Sequence, residues 1–348
     1  MCGIAGYLDL TQPADQSQIE AMTRTMEHRG PDGEGYYLDG SLALGHRRLS
    51  IIDLAGGKQP MADDSGRYWI TFNGEIYNFP DLRELLKKQG HSFATRCDTE
   101  TILAAYKQYG EDCVDHLRGM FAFAIWDRQD RTLFLARDRL GKKPLYYHFS
   151  GQRFIFASEI KALLQHPAVS LELTPQAIAD YFTYNYIPFP RSIFKSVSKL
   201  RPAHRLKLTP GNNGTLQLAE AEYWDLHYAP EESVSEERWC EALRDQFAEA
   251  TRMRMISDVP LGAFLSGGVD SSAVVAYMAQ AQSAPVKTFS IGFKEEDFTE
   301  TRYARQVAEQ YGTDHHEFIV EPDALEMLPK LAWEYDEPFA DASAVPTY

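Results

Sequence analysis

Cys2 follows the initiator Met1 and precedes Gly3, and a thiol in that place has chemistry that an internal cysteine lacks. The small side chains of Cys2 and Gly3 ease removal of Met1, which leaves a free α-amine on the same residue as the thiol. That amine titrates near about 7.7–8.0. A free thiol is only a few per cent thiolate at neutral pH and needs a base beside it before it can attack a carbonyl carbon. A terminal cysteine carries this base on its own backbone, so no catalytic histidine has to be sought elsewhere. Taken alone, Cys2 reads at least as well as a packed, unreactive thiol. Its company decides.

A second chemical signal is Leu265-Ser266-Gly267-Gly268-Val269-Asp270-Ser271-Ser272, lying after an apolar stretch and before a helical one. Successive small residues there turn backbone N–H groups toward an anion, and the helix N-terminus adds the positive end of its dipole. No lysine follows the glycines, which separates this loop from the GxxxxGK[ST] pattern. A plain strand-to-helix turn is the alternative. Adjacent His315 and His316 on a strand point to opposite faces and are not expected to share a metal ion. Cys2, Cys97, Cys113 and Cys240 fall in no CxxC pair or metal-ligand spacing. Reduced thiols in a cytoplasmic protein fit best, with Cys97 and Cys113 as packing residues.

The elements that must hold these residues follow from length and pattern. A chain of 348 residues with 44% apolar and 12% aromatic content is long enough for two domains with real cores. Its net charge of -15 argues against nucleic acid and anionic membrane as partners. No segment approaches the ~20 apolar residues of a membrane span, and the N-terminus lacks a signal peptide's features. Helices are expected over 19–27 and 82–89. The stretch 120–126 alternates Phe121, Phe123 and Ile125 with Ala122, Ala124 and Trp126, apolar on both faces and so covered on both. That predicts stacked sheets sandwiched by helices. Residues 202–230 read as polar and loop-like, with Gly211-Asn212-Asn213-Gly214 as a hairpin tip, and the domain boundary is placed there: 1–215 and 230–348. A helix over 236–255 is expected to bury Trp239, Leu243, Phe247 and Ala250. Strands at 259–265, 286–293 and 316–320 then alternate with helices at 271–281, 301–311 and 324–335, which predicts a parallel, doubly wound sheet. This second domain is expected to be cut short after Tyr348.

The blocks Met1-Cys2-Gly3-Ile4-Ala5-Gly6, His28-Arg29-Gly30-Pro31-Asp32, His46-Arg47-Arg48-Leu49-Ser50-Ile51, Asn73-Gly74-Glu75-Ile76-Tyr77-Asn78 and Cys97-Asp98-Thr99-Glu100 together resemble the N-terminal-nucleophile glutamine amidotransferase domain of asparagine synthetases. The resemblance spans essentially the whole chain. It implies an αββα sandwich followed by a partial ATP-pyrophosphatase domain. Glutamine presents a carboxylate, an ammonium and a side-chain amide. Arg48 offers the carboxylate a bidentate fork. By resemblance, Glu75 and Asp98 hold the ammonium, Asn73 and the Gly74 N–H serve as oxyanion donors, and Leu49, Ser50, Ile51 and Ile52 complete the glutamine site. Read singly, Arg48 is also a surface cation, Glu75 a turn cap and Asp98 the N-cap of a helix opening at Thr99. The cluster at 28–32 reads as a turn that shapes the pocket.

The Ser266–Ser272 loop is similar to the pyrophosphate loop of ATP pyrophosphatases, which make AMP and pyrophosphate while adenylating a carboxylate. That resemblance implies Ser266, Gly267, Gly268 and Ser271 at the phosphates, Asp270 reaching them through Mg²⁺, and Leu265 and Ile291 flanking adenine. Glu334, Asp336, Glu337 and Asp341 either reach the acceptor site or are solvated. The implied enzyme forms a C–N bond: it hydrolyses glutamine through a Cys2 thioester and passes ammonia internally to an ATP-activated acceptor. Aspartate is the first choice of acceptor, another carboxylate the second. ATP and Mg²⁺ are the implied cofactors, and a homodimer is compatible. A sugar or phosphoribosyl acceptor and a non-catalytic homologue are the competing readings.

Overall fold

The double-sided strand at 119–127 sets the architecture of the first unit. The computed structural model describes residues 1–231, 233–293, 300–320, 324–341 and 343–347. These form two units, one of Met1–Leu226 with Tyr335–Ala340 and one of His227–Glu334 with Asp341–Tyr348. In the first, β1 (Gly3–Asp9), β2 (Gly33–Asp39), β3 (Leu42–Arg48), β4 (Met61–Ala62), β5 (Tyr68–Ile76), β6 (Gly119–Asp127), β7 (Thr132–Arg137), β8 (Tyr146–Phe149), β9 (Arg153–Ala157), β10 (Ser198–Lys199), β11 (His204–Pro210) and β12 (Leu216–Glu222) build two sheets. Their orders are β10-β8-β9-β1-β3-β2 and β12-β11-β7-β6-β5-β4, each with six strands.

Side-chain alternation along β6 divides the core as the sequence predicts. Ala122, Ala124 and Trp126 join Ile4, Leu44, Phe156 and Leu206 between the sheets. Phe121, Phe123 and Ile125 face outward onto Leu82 and Leu86 of α2 (Phe79–Lys88) and Ile102 and Leu103 of α3 (Asp98–Tyr109). On the far side, Ala5 and Tyr7 of β1 pack on Ile19 and Met22 of α1 (Gln16–Arg24) and on α4 (Ile160–Leu163). Helix, sheet, sheet and helix make four layers.

Local chemistry explains where the elements differ from expectation. Helix α1 starts at Gln16 because the Asp15 side chain caps the Ser17 N–H, and the chain then tightens into a 3-10 turn at Glu27–Arg29. Pro at the first turn lets α2 begin before Leu82. Helix α5 (Pro175–Tyr184) was not expected, and its Ile178 and Phe182 are exposed. The stretch read as loop-like is largely a hairpin, β11 pairing β12 from His204↔Glu222 to Pro210↔Leu216. Strand β12 is an edge whose outer residues are polar, which is how an edge strand comes to look like a loop.

The second unit contains α6 (Glu236–Met253), β13 (Gly262–Phe264), α7 (Val269–Ala281), β14 (Lys287–Phe293), α8 (Thr301–Tyr311), β15 (Asp314–Val320), α9 (Ala324–Tyr335) and α10 (Ala344–Thr347). Its three strands run parallel in the order β13-β14-β15 with α7 and α8 in the crossovers, the parallel strand–helix alternation predicted. Helix α8 ends at Gly312 in the left-handed conformation. The stripe on α6 is only half covered: Phe247 meets Tyr277 with ring centroids 5.6 Å apart, but Trp239 and Leu243 are 51% and 68% exposed. No helix among the described residues is long and apolar enough to cross a membrane.

Candidate active site

Strands β1 and β3 pair antiparallel with Gly3 opposite Arg47, so the residue before β1 and the residues after β3 meet at one sheet end. There the Leu49 N–H donates to Cys2 Sγ at 3.4 Å, and the thiol lies 3.6 Å from Leu49 O as donor. Burial pushes the Cys2 thiol up, with the Leu49 N–H opposing it. Arg29, in the 3-10 turn, donates through Nε to the Cys2 carbonyl at 3.0 Å. Glu159 holds Arg29 at 2.9 Å, accepts from Lys161 on its other oxygen at 2.8 Å and lies 3.1 Å from His28 Nε2. Burial alone would raise Glu159, but Lys161 and Arg29 outweigh it and keep the carboxyl low. The turn at 28–32 thus positions the Cys2 backbone.

From the other sheet, β5 presents Asn73-Gly74-Glu75 beside Cys2, and all four residues line one cleft of about 600 Å³. Asn73 is fully buried, and neither its Oδ1 nor its Nδ2 has a hydrogen-bond partner among the described residues. Such an amide is costly unless something fills its place. Gly74 is required by close packing: a Cβ would sit 2.1 Å from Met120 O on β6. The sheets are tied together just below. His46 Nε2 lies 3.1 Å from Phe72 O, and Thr71 Oγ1 donates to Gly45 O at 3.1 Å. Burial lowers His46 to about 4, so it is a neutral donor to the Phe72 carbonyl.

Two acids close the cleft. Asp98 is buried, accepts from the Ile76 N–H at 3.0 Å, and is pushed up to about 7 by burial, with Glu75 adding to the rise. Glu75 is also raised by burial. Asp98 is the first residue of α3 and Cys97 occupies the N-cap position, so Asp98 is not the cap the sequence allowed. Arg48 lines the same cleft; its terminal nitrogens donate to the carbonyls of Leu54, Ile52 and Asp53 at 2.9, 3.3 and 2.7 Å. Part of its five-donor fork is thereby used to fix the 52–54 loop. Leu49, Ile51 and Ile52 also line the cleft. Ser50 is not among the lining residues, and its N–H binds Asp32 at 2.8 Å.

Gly57, Gln59, Thr99, Met120 and Lys143 line the cleft as well and were not foreseen. Gln59 and Thr99 are bonded at 3.2 Å, and a Cβ on Gly57 would meet Arg48 at 2.4 Å. Lys143 follows a turn at Gly141, whose φ is +66°, and nothing in the sequence singled it out. Asp336 and Glu337 are not the solvated acids that one reading allowed. Asp336 pairs with Lys161 at 3.1 Å and accepts from the Ile160 N–H at 2.7 Å; Glu337 pairs with Lys199. All four side chains are nearly buried, with the two acids raised by burial.

In the second unit, Leu265, Ser266 and Ile291 line a cleft of about 670 Å³ with Ser290, Phe293, Glu300 and Thr301, at the carboxyl ends of β13 and β14. Gly267, Gly268, Asp270 and Ser271 form the adjoining loop and first turn of α7. The loop is knitted by hydroxyls: Ser266 Oγ lies 3.0 Å from Ser271 Oγ and accepts the Gly268 N–H at 3.2 Å. Gly267 has φ of +83°, and a Cβ there would meet Tyr303 and the Ala304 N–H at 2.5 and 2.6 Å on α8, so only glycine fits. Asp270 is exposed at the start of α7, and among the described residues no group of three or more His, Cys, Asp or Glu could hold a metal ion. His315 Nδ1 lies 2.8 Å from Thr288 Oγ1, while His316 pairs with Asp314 at 3.2 Å.

A four-layer sandwich with this cleft, joined to a parallel-sheet unit, defines a two-part amidotransferase class. Residues 1–224 match the model of a glutamine amidotransferase domain, and residues 242–348 that of asparagine synthase. The chain is 38% identical to glutamine-hydrolysing asparagine synthetase 1 of Bacillus subtilis, with 100% of this chain and 55% of that protein covered. It is 37% identical to "Putative asparagine synthetase 2", also glutamine-hydrolysing, of Methanocaldococcus jannaschii, covering 100% and 70%. It is also 32% identical to amidase chyE of Penicillium rubens, covering 99% and 55%. The allosteric regulatory enzyme of purine biosynthesis shares the fold, with 14% identity, a TM-score of 0.50 and coverage of 92% and 81%. The chain belongs to the glutamine-hydrolysing asparagine synthetase family. It spans little more than half the length of the Bacillus relative.

Proposed function

We propose that the first unit hydrolyses glutamine with Cys2 as nucleophile after Met1 is removed. The observation that carries this reading is the buried, unpartnered Asn73 amide in the same cleft as Cys2. The glutamine carboxylate meets Arg48, its ammonium meets Glu75 and Asp98, and its side chain lies along Leu49, Ile51 and Ile52. Ser50 acts through its backbone by fixing that loop to Asp32. The α-amine of Cys2 takes the thiol proton, and sulfur attacks the amide carbon. The resulting oxyanion is held by Asn73 Nδ2–H and the Gly74 N–H, each such donor being worth about 3–4 kcal/mol. Collapse returns the proton to the departing nitrogen, which releases ammonia and leaves a thioester. Water then frees glutamate and restores the thiol.

The second unit spends ATP to activate an acceptor carboxylate, and ammonia converts the acyl adenylate to an amide and AMP. Ser266, Gly267, Gly268 and Ser271 grip the phosphates by their N–H and O–H groups. Leu265 and Ile291, on adjacent strand ends, flank the adenine, in keeping with the rule that ligands gather at the carboxyl ends of parallel strands. Mg²⁺ commonly takes one carboxylate plus phosphate oxygens. Exposed Asp270 fits that donor set when nucleotide is present, and the ion would offset phosphate charge. With aspartate as acceptor, the balance is aspartate, glutamine, ATP and water to asparagine, glutamate, AMP and pyrophosphate. A different carboxylate is the second reading, favoured by the relationship to an amidase.

Cys2→Ala decides the first half. Glutamine hydrolysis should vanish, while AMP formation with free ammonia in the full-length protein persists. Continued glutamine turnover in that variant would refute the assignment.

A further inference from the structure

Lys143 is a buried cation that the scheme above leaves unused. It is 4% exposed, lines the cleft with Cys2 and Glu75, and brings Nζ to 2.9 Å from Met1 Sδ. Its placement is built. Asp138, itself buried, accepts the N–H groups of Phe121, Leu140, Lys142 and Lys143 at 3.1, 3.1, 2.9 and 2.9 Å. Arg137 donates to Lys143 O and Gly141 O, both at 2.7 Å. The Asp138 bond to Phe121 anchors the loop to β6 opposite Gly74, since Gly74 and Phe121 are register partners. A lysine is rarely delivered to an interior so firmly unless its charge has work there.

We propose that Lys143 is a positioning residue of the glutaminase cleft, whose ammonium group keeps the neighbouring terminal amine in its unprotonated, proton-accepting form. The proposal rests on the Cys2 reading. Met1 carries away the thioether that Lys143 now touches, so in the processed chain this ammonium faces the amine of Cys2 across the space vacated. The charged groups acting on the Met1 α-amine, next to the nitrogen that processing would free, are Cys2, Arg29 of the 3-10 turn, Lys143 and Glu75 of β5. Asp98 of α3 and Arg48 of β3 act on the Cys2 thiol. Two cations thus oppose the Cys2 sulfur and the Glu75 carboxylate around the amine, and a like charge at close range disfavours protonation. Burial acts in the same direction and is the larger influence, so the Met1 amine lies below its ordinary value, and a Cys2 amine freed one residue further on would meet the same groups. Removing Lys143 would leave Arg29 alone against Cys2 and Glu75.

The test titrates the amine directly and does not depend on glutamine. Trace acetylation of the N-terminal peptide is followed by mass spectrometry from pH 5 to 10, for processed wild type, Lys143→Met, Lys143→Gln and Lys143→Arg. Both neutral variants should titrate about one unit higher, with Lys143→Arg restoring the wild-type curve. In kcat for glutamine, the acid limb should move by the same amount, making the neutral variants ~10-fold slower near pH 7 and unchanged near pH 9. Superimposable acetylation curves would overturn the proposal, as would an activity loss independent of pH. An amine that shifts in a chain that cannot hydrolyse glutamine would uphold Lys143 and sink the glutaminase reading instead.

Discussion

Asp98 shows how a residue's surroundings would make its proposed contact with a substrate ammonium responsive to pH. Its carboxyl is raised to about 7 mainly by burial and further by Glu75, so in the free protein it is largely protonated below that pH. An ammonium binds only the charged form. The Michaelis constant for glutamine should therefore rise as pH falls from 8 to 6, and in Asp98→Asn that slope should flatten while the constant itself increases. The sign for stability is the opposite. The folded pKa lies above the unfolded one, so folding retains a proton between about 4 and 7. The stability this confers is lost as pH rises through 7. Thermal melting of Asp98→Asn should accordingly compare better with wild type at pH 8 than at pH 5, and a pH-independent difference would count against the assigned environment. At this scale the types and spacing of Arg48, Asn73, Gly74, Glu75 and Asp98 were legible because the short blocks that contain them are distinctive. Lys143, Gln59 and Gly57 were not, since a buried lysine or glutamine after a turn looks like any surface residue until the loop is seen folded inward.

Elements succeed in the sequence where periodicity is one-sided or fully two-sided, and fail where it is blurred. Strand β6 was readable because both faces are apolar. Helix α3 was less so, as Ile102, Leu103, Ala104 and Ala105 are all buried in succession and give a weak helical period. The tip of the β11–β12 hairpin was readable at 211–214, but the length of its strands was masked by the polar outer face of an edge strand. The functional consequence of β5–β6 pairing is tested by Gly74→Ala. Its Cβ would lie 2.1 Å from Met120 O and 2.8 Å from Phe121 Cα, both backbone atoms that cannot swing aside. The strands must part, taking Asn73 out of place, so kcat for glutamine should fall by roughly 10²-fold or more. A variant with near wild-type kcat would show that the strand spacing does not set the oxyanion donors.

For the molecule as a whole, the two proposed centres fall in units with separate cores, the first built on three large apolar clusters and the second on a small one around Leu265, Val275, Ala304 and Ala308. Their loss should be separable. Asp270→Ala in the full-length protein should remove ATP-dependent AMP release and leave glutamine hydrolysis within about twofold; loss of hydrolysis with retained AMP release would reverse the division of labour. The strand–helix alternation of the second unit was visible in the sequence. The half-covered stripe of α6 was not, because periodicity reports that a face is apolar and not what lies over it. Likewise, the fate of Asp336 and Glu337 depended on lysines that lie more than a hundred residues earlier in the chain.

The proposed proton transfer from sulfur to the amine of the same residue is open to one direct measurement: intact-mass and peptide mapping of the purified protein after inactivation by an electrophilic glutamine analogue. One equivalent should add to Cys2 in a peptide that begins at Cys2, and activity should fall in step with its formation. A fully active chain that still carries Met1, or a label residing on Cys97, Cys113 or Cys240, would contradict it.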